Sequence, residues 1–194
     1  MTTTTVDVLQ YEAEHPHAFT RAEVGWLPWL QPVAIDDLTP RHYDGLVDRA
    51  RDQSDYFRLL ARDPEILRAR TLVDKDIFYN AKDGLPRAER ELAAAAASRV
   101  NGCVFCASVH ARFAAHFLKD ATAVDALLED GLLADLGPRL NALVEAAAAL
   151  TAVPTQFGSD QVRMLRDAGF TTDEIVDIVH STAFFNWANR LMLS

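Results

Sequence analysis

Glu91, Cys103, Cys106 and His110 are the residues of this 194-residue chain whose types and spacing bear most directly on chemistry. Cys103 and Cys106 are its only two cysteines. If a helix starts at Cys103, the spacings of three to Cys106, four more to His110 and seven overall place all three side chains on one face. That is a dithiol with a base beside it. A thiolate is the reactive form of cysteine, and its pKa falls at a helix N-terminus or beside a hydrogen-bonding partner. The Asn101-Gly102 pair just before Cys103 breaks the preceding helix, because both residue types tolerate left-handed backbone angles, and so exposes the first-turn N–H groups to the thiols. A second thiol three residues away can condense with a sulfenic acid on the first and close a disulfide, which protects against over-oxidation. An unperturbed imidazole, with a pKa of about 6.5, takes or delivers a proton near neutrality. Glu91 stands twelve residues before Cys103. If the chain folds back at Asn101-Gly102, its carboxylate reaches the pair directly or through a water and completes a proton relay; Glu89 is the competing carboxylate one face over.

The same residues admit two other readings. Cys103, Cys106, His110 and Glu91 add up to four metal ligands, but structural zinc sites usually draw a second close-spaced pair from elsewhere, and no further cysteine exists. His116 is six residues beyond His110, about 120° around a helix, and reads as a surface or core histidine. His15, His17, His42 and His180 carry no recognisable spacing. The two cysteines can also be small buried hydrophobes, as free cysteines often are.

The elements that must position these groups read as helices. A 49% hydrophobic content with only 8 Gly and 8 Pro is globular and helix-leaning. Residues 1–40 form an irregular arm, interrupted by Pro16, Pro28, Pro32 and Pro40 and laid on the surface or on a neighbouring subunit, with Trp26 and Trp29 packing it down. Residues 41–194 form one all-α domain of about seven to nine helices, counted from start and stop signals. Asp63-Pro64-Glu65 opens a helix whose apolar face is marked by Ile66, Ala69, Val73 and Ile77 and which ends near Lys82. Arg87–Val100, rich in alanine, is expected at the centre, since small side chains let neighbouring helices approach closely. The cysteine helix runs to about Lys119. A short helix through Val124, Leu127 and Leu128 closes at Gly131, and Leu140, Leu143, Val144, Ala147 and Leu150 stripe the next. A further helix runs from about Asp160 to Gly169, and a Thr171/Glu174 capping box launches the last one. A short apolar helix, a loop and a longer helix recur as a faint internal echo.

Several function classes fall away. A net charge of −9, with lysine only at Lys75, Lys82 and Lys119, provides no basic footprint for nucleic acid. The N-terminus has neither a basic nor an apolar leader region, and no stretch approaches the roughly 18 apolar residues of a membrane span. A cytoplasmic location is the default expectation, and in a reducing compartment a lone C-x-x-C is catalytic or metal-binding rather than a structural staple.

Leu85-Pro86-Arg87-Ala88-Glu89-Arg90-Glu91-Leu92, followed by Arg99-Val100-Asn101-Gly102-Cys103-x-x-Cys106-x-x-x-His110, resembles the AhpD-like (alkylhydroperoxidase) branch of the carboxymuconolactone decarboxylase superfamily, and most closely its peroxidase-related proteins. The E-x11-C-x-x-C-x3-H pattern of that branch is matched by Glu91, Cys103, Cys106 and His110. The ending Phe184-Phe185-Asn186-Trp187-Ala188-Asn189-Arg190-Leu191 is similar to the family's aromatic-Asn-x-x-Asn-Arg terminus. The resemblance implies an all-helical fold of two related halves and a homo-oligomer (dimer, trimer or hexamer). It also implies reduction of a hydroperoxide substrate, with Cys106 attacking, Cys103 resolving, and Glu91 and His110 relaying protons. The Cys103–Cys106 disulfide would be the only redox group, with no separate cofactor, restored by an external dithiol of the lipoyl or thioredoxin-like kind. The role assignment runs against the helix dipole, which favours Cys103 as the lower-pKa thiol. Phe105 is a departure, since better-studied peroxidases carry a proton-shuttling His immediately before the second Cys. The true lactone decarboxylases lack the cysteine pair.

Overall fold

The computed structural model describes residues 8–11, 15–80 and 82–193. Every regular element among them is helical, nine α-helices with three short 3-10 turns. The all-α expectation holds. The described residues divide into two compact units, one of residues 8–11, 15 and 25–75 and one of residues 16–24, 76–80 and 82–193; residues 1–7 and 12–14 of the expected arm lie outside the described residues.

The first unit contains α1 (Pro40–Leu46), α2 (Asp55–Leu60) and most of α3 (Pro64–Tyr79), which continues into the second unit from residue 76. Thr39 caps α1 with Pro40 at the first helical position, and His42 completes the cap by accepting the Thr39 N–H on Nδ1 at 3.0 Å. Leu46, Ala61 and Leu67 form its small core. Gly45 is required there, because a Cβ would lie 2.7 Å from the Pro64 carbonyl oxygen. The arm is tied down by backbone carbonyls: Val33 accepts from Arg58 Nε at 3.0 Å and Gln31 from Arg62 Nε at 2.9 Å. Trp26 packs edge-on against Tyr56 and Trp29 stacks on His15, both in the packing role expected of them.

Helix α3 begins as expected, with Asp63 Oδ1 accepting the Ile66 N–H at 3.2 Å. Its buried face differs from the expected one. Ile66, Ala69 and Val73 are exposed, and the buried line runs through Leu67, Arg70, Thr71, Ile77 and Phe78. The apolar stripe misleads because two of the buried positions are polar and partnered: Arg51 Nη1 donates to Thr71 Oγ1 at 2.9 Å, and Arg70 lies over the rings of Tyr56 and Phe57. The helix also stops at Tyr79 rather than Lys82.

The second unit is built around α4 (Arg87–Asn101), which packs against α5 (Val104–Leu118), α7 (Pro138–Thr151) and α9 (Thr172–Met192). All eleven residues from Ala88 to Ser98 are buried. Ala93 to Ala97 remove little apolar surface individually, but they hold no side chain long enough to keep a neighbouring helix at a distance. The larger core residues Leu92, Leu127 and Leu143 fill the spaces between, each worth about 1.5–3 kcal/mol for full burial. Helices α6 (Ala121–Asp130) and α8 (Ser159–Asp167) complete the layer. Residues 16–24 of the arm pack here: Phe19 sits against the core and Arg21 forks onto Asp125 at 2.5 and 2.7 Å. Thr171 and Glu174 form the expected capping box of α9.

The turn that matters for the site is the one between α4 and α5. Gly102 takes φ +78°, its N–H bonds to the Arg99 carbonyl at 3.3 Å, and the Cys103 N–H bonds to the Ser98 carbonyl at 2.9 Å. This pair is a Schellman closure, for which a left-handed glycine is the natural residue. Cys103 then serves at once as the N-cap of α5, so the chain reverses within two residues.

Candidate active site

Both cysteines are in the dithiol form and buried, Cys103 with 1% and Cys106 with 5% of its surface exposed. Cys103 is the N-cap of α5 and Cys106 its third residue. Cys103 is held below the ordinary thiol range. The largest cause is a hydrogen bond from the Cys106 thiol; burial opposes it, and the Cys106 N–H and the Asn189 side-chain amide add to it. The Cys106 N–H faces the sulfur without forming a regular capping bond, so its contribution is that of a nearby dipole.

Glu91 and His110 are brought together by the α4–α5 reversal. Glu91 Oε2 lies 2.6 Å from His110 Nδ1, and the carboxylate is only 1% exposed. Its other oxygen accepts from Arg87 Nε at 3.1 Å, one turn earlier on α4. The carboxylate therefore meets the imidazole, and Cys106 stands one helical turn before the histidine on α5. Since Nδ1 is engaged, Nε2 is the nitrogen left to exchange protons. Phe185 and Phe78 flank the imidazole with ring centroids 4.0 and 5.2 Å away, which restricts its rotation. Glu89, the competing carboxylate, has a structural partner: both oxygens accept from Arg139, at 2.8 and 2.9 Å.

The remaining sequence candidates lie elsewhere. His116 is exposed against Phe117, and His180 is exposed. Phe105 is half-buried between the two cysteines in sequence. No group of three or more His, Cys, Asp or Glu among the described residues is arranged to hold a metal ion.

Residues that sequence reasoning passed over complete the site. Arg87 is one, although its spacing of four from Glu91 is the signature of a helical ion pair. A chain of amides is the other. Asn101 Nδ2 donates to Asn186 Oδ1 at 2.8 Å and to Asn189 Oδ1 at 3.0 Å; Asn189 Nδ2 donates to Ser98 Oγ at 3.0 Å, and Asn186 Nδ2 to Thr151 Oγ1 at 3.2 Å. Asn186 and Asn189 stand three apart on α9, a one-face spacing visible in the sequence; Asn101 was legible only as a helix breaker.

The model of the carboxymuconolactone decarboxylase family matches residues 64–149, from α3 through most of α7. No curated protein sequence matches the chain. Among solved structures, an alkylhydroperoxidase AhpD core, an uncharacterised peroxidase-related protein from Ralstonia eutropha, superposes with a TM-score of 0.67 and 26% identity over 91% of this chain and 89% of that one. A peroxidase-related protein from Silicibacter sp. gives a TM-score of 0.67 at 24% identity over 81% and 84%. The debrominase Bmp8 shares the fold at a TM-score of 0.66 and 18% identity over 83% and 86%. The segment that carries Glu91, the dithiol and His110 thus matches the carboxymuconolactone decarboxylase family, and the fold over most of the chain is similar to that of AhpD-like, peroxidase-related proteins.

Proposed function

We propose that the protein is a thiol-dependent hydroperoxide reductase of antioxidant defence, working through the Cys103–Cys106 dithiol with Glu91 and His110 as proton relay. The observation that carries this reading is the buried 2.6 Å contact between Glu91 and His110, one helical turn from Cys106. A carboxylate that fixes an imidazole by its Nδ1 leaves Nε2 oriented for proton transfer. Cys106 gives up its proton to the Cys103 sulfur as it attacks the hydroperoxide. The O–O bond breaks, Cys106 becomes a sulfenic acid, and the departing alkoxide takes a proton from the imidazolium. Cys103 then attacks the sulfenic sulfur, water leaves, and the disulfide forms. An external dithiol of the lipoyl or thioredoxin-like kind reduces it again, and the disulfide is the only redox group the cycle needs.

The fuller setting is a homo-oligomer (dimer, trimer or hexamer) in the cytoplasm. The exposed Ile66, Leu72 and Val73 on α3 support association. No helix among the described residues is long and apolar enough to cross a membrane. A second reading, general disulfide exchange without peroxide, is favoured by Phe105, which occupies the place inside the pair where a proton carrier would serve peroxide chemistry.

Thiol titration before and after one equivalent of organic hydroperoxide, with mass mapping of the product, tests the proposal. The expected result is loss of two thiols and a Cys103–Cys106 bridge in the wild type, with turnover abolished in Cys106→Ser. Undiminished turnover in that variant overturns the assignment. Rapid exchange with protein disulfides and no consumption of hydroperoxide selects the second reading instead.

A further inference from the structure

The amide chain beneath Cys103 has a direction. Ser98 Oγ donates its only proton to the Ala94 carbonyl at 2.7 Å, and Thr151 Oγ1 donates its own to the Ala147 carbonyl at 2.8 Å. Toward the amides, both hydroxyls can therefore only accept. That fixes which end of Asn189 points where. Its Nδ2 faces Ser98, its Oδ1 receives Asn101, and one Nδ2 hydrogen is left over. Asn189 has no exposed surface, so that hydrogen has no water to go to. Cys103 is anchored on the same residue, its N–H on the Ser98 carbonyl at 2.9 Å. The Asn189 amide and the Cys103 backbone are thus both held on Ser98, and the side-chain hydrogen bond from Asn189 is one of the causes that lower the Cys103 pKa. The tuning matters because burial alone would push such a thiol up.

We propose that Asn189 is a further working residue of the dithiol site: its side-chain N–H donates to the Cys103 sulfur and makes Cys103 the one that departs as thiolate when the disulfide is opened. The inference rests on the dithiol/disulfide reading above and extends it to the reductive half of the cycle. In this scheme the incoming reductant meets Cys106, the residue of the pair with the larger exposed fraction, 5% against 1%. A thiolate of the external dithiol attacks Cys106, the Cys103–Cys106 bond breaks, and Cys103 leaves with the electron pair while Cys106 is held in a mixed disulfide. The second thiol of the reductant, deprotonated, attacks its own first sulfur and releases Cys106, which takes up a proton. One external dithiol is oxidised to its disulfide, the protein pair returns as one thiolate and one thiol, and one proton is released. Disulfide opening is faster the lower the pKa of the leaving thiol, so the Asn189 donor accelerates the step.

The pH dependence of iodoacetamide alkylation at Cys103, read by peptide mass mapping of the reduced protein, tests this without any hydroperoxide. A failure of the peroxidase reading is therefore scored separately. In Asn189→Leu the midpoint rises by roughly one to two pH units, the size of a lost hydrogen bond to a charged group. Thr151→Val cuts the same chain at its far end and leaves the midpoint in place, which a merely structural role for Asn189 would not predict. Opening of the oxidised protein by a small monothiol slows several-fold in Asn189→Leu, with the mixed disulfide on Cys106 in both proteins. If Asn189→Leu does not fold, Asn189→Ser serves, because its shorter side chain withdraws the donor and keeps a polar group beside Ser98. An unmoved midpoint in the Asn189 variant, an equal shift in Thr151→Val, or a mixed disulfide on Cys103 overturns the proposal.

Discussion

Replacing Glu91 with Gln isolates the charge of the proposed relay from its shape. Glu91 offers two acceptor oxygens to two donors, Arg87 Nε at 3.1 Å and His110 Nδ1 at 2.6 Å. Glutamine has the same outline but one acceptor, so one donor must face an NH2 group. If Arg87 keeps the oxygen, His110 must present a bare Nδ1 to that group, which leaves the ring proton on Nε2 alone and disfavours the imidazolium that protonates the departing alkoxide. If His110 keeps it, the guanidinium still has the faces of Tyr79 and Phe117, at 4.3 and 4.5 Å, to rest on. The second arrangement is therefore favoured, and His110 then holds a neutral acceptor in place of a charged one. A charge-assisted hydrogen bond in such a buried place is worth about 1.5–3 kcal/mol. At 1.36 kcal/mol per tenfold, that is a loss of roughly 10- to 150-fold in the rate of disulfide formation. The assay is single-turnover loss of thiols after mixing with an organic hydroperoxide, compared among Glu91→Gln, His110→Gln and the double variant. Because Glu91 acts through His110, the double variant is expected to match the histidine variant alone rather than multiply the two losses. Multiplying losses, or a fully active Glu91→Gln, would refute the reasoning.

Two further outcomes follow from the geometry. Cys103 is depressed below its ordinary pKa, so the folded state gains stability from its ionisation. The gain is fully present above the unfolded thiol pKa and disappears as pH falls through the folded one. The stability difference between reduced wild type and Cys103→Ser should thus widen as denaturation midpoints are followed from neutral pH upward to about 9; a constant difference contradicts the assigned shift. Gly45→Ala places a methyl 2.7 Å from the Pro64 oxygen, against backbone that cannot swing away. Chemical denaturation should show a cost of about 1–3 kcal/mol, and a neutral substitution would mean that α1 is not held against the start of α3.

What could be read from the sequence was whatever depends on neighbours along the chain. Asp63-Pro64, the Thr171/Glu174 box and the Asn101-Gly102 break announce helix ends because caps act within three or four residues. The C-x-x-C-x3-H spacing announces a shared face for the same reason. Burial in α3 departs from its apolar stripe because the packed line includes Arg70 and Thr71, whose partners come from residues 51–57. The choice between Glu89 and Glu91 could not be made locally either. They stand two apart on one helix, about 200° around its axis, and only Arg139 from α7 and His110 from α5 show which carboxylate pairs with an arginine and which with the histidine.

The same limit explains why Asn186 and Asn189 read only as part of a terminal motif, with no role at the thiols. Asparagine on a helix is usually a poor former facing water, and nothing within a few residues of Asn189 needs a donor. Its use arises from four elements meeting: α4 brings Ser98 and Asn101, α7 brings Thr151, α9 brings the two asparagines, and the N-cap of α5 brings the sulfur. The alanine run of α4 makes the meeting possible, because residues with no side chain beyond Cβ let α9 approach close enough for short amides to bridge. The most monotonous stretch of the sequence is thus a precondition for its most specific polar network. A larger residue there would act on the thiol chemistry by separating α9 from Ser98, without touching either cysteine.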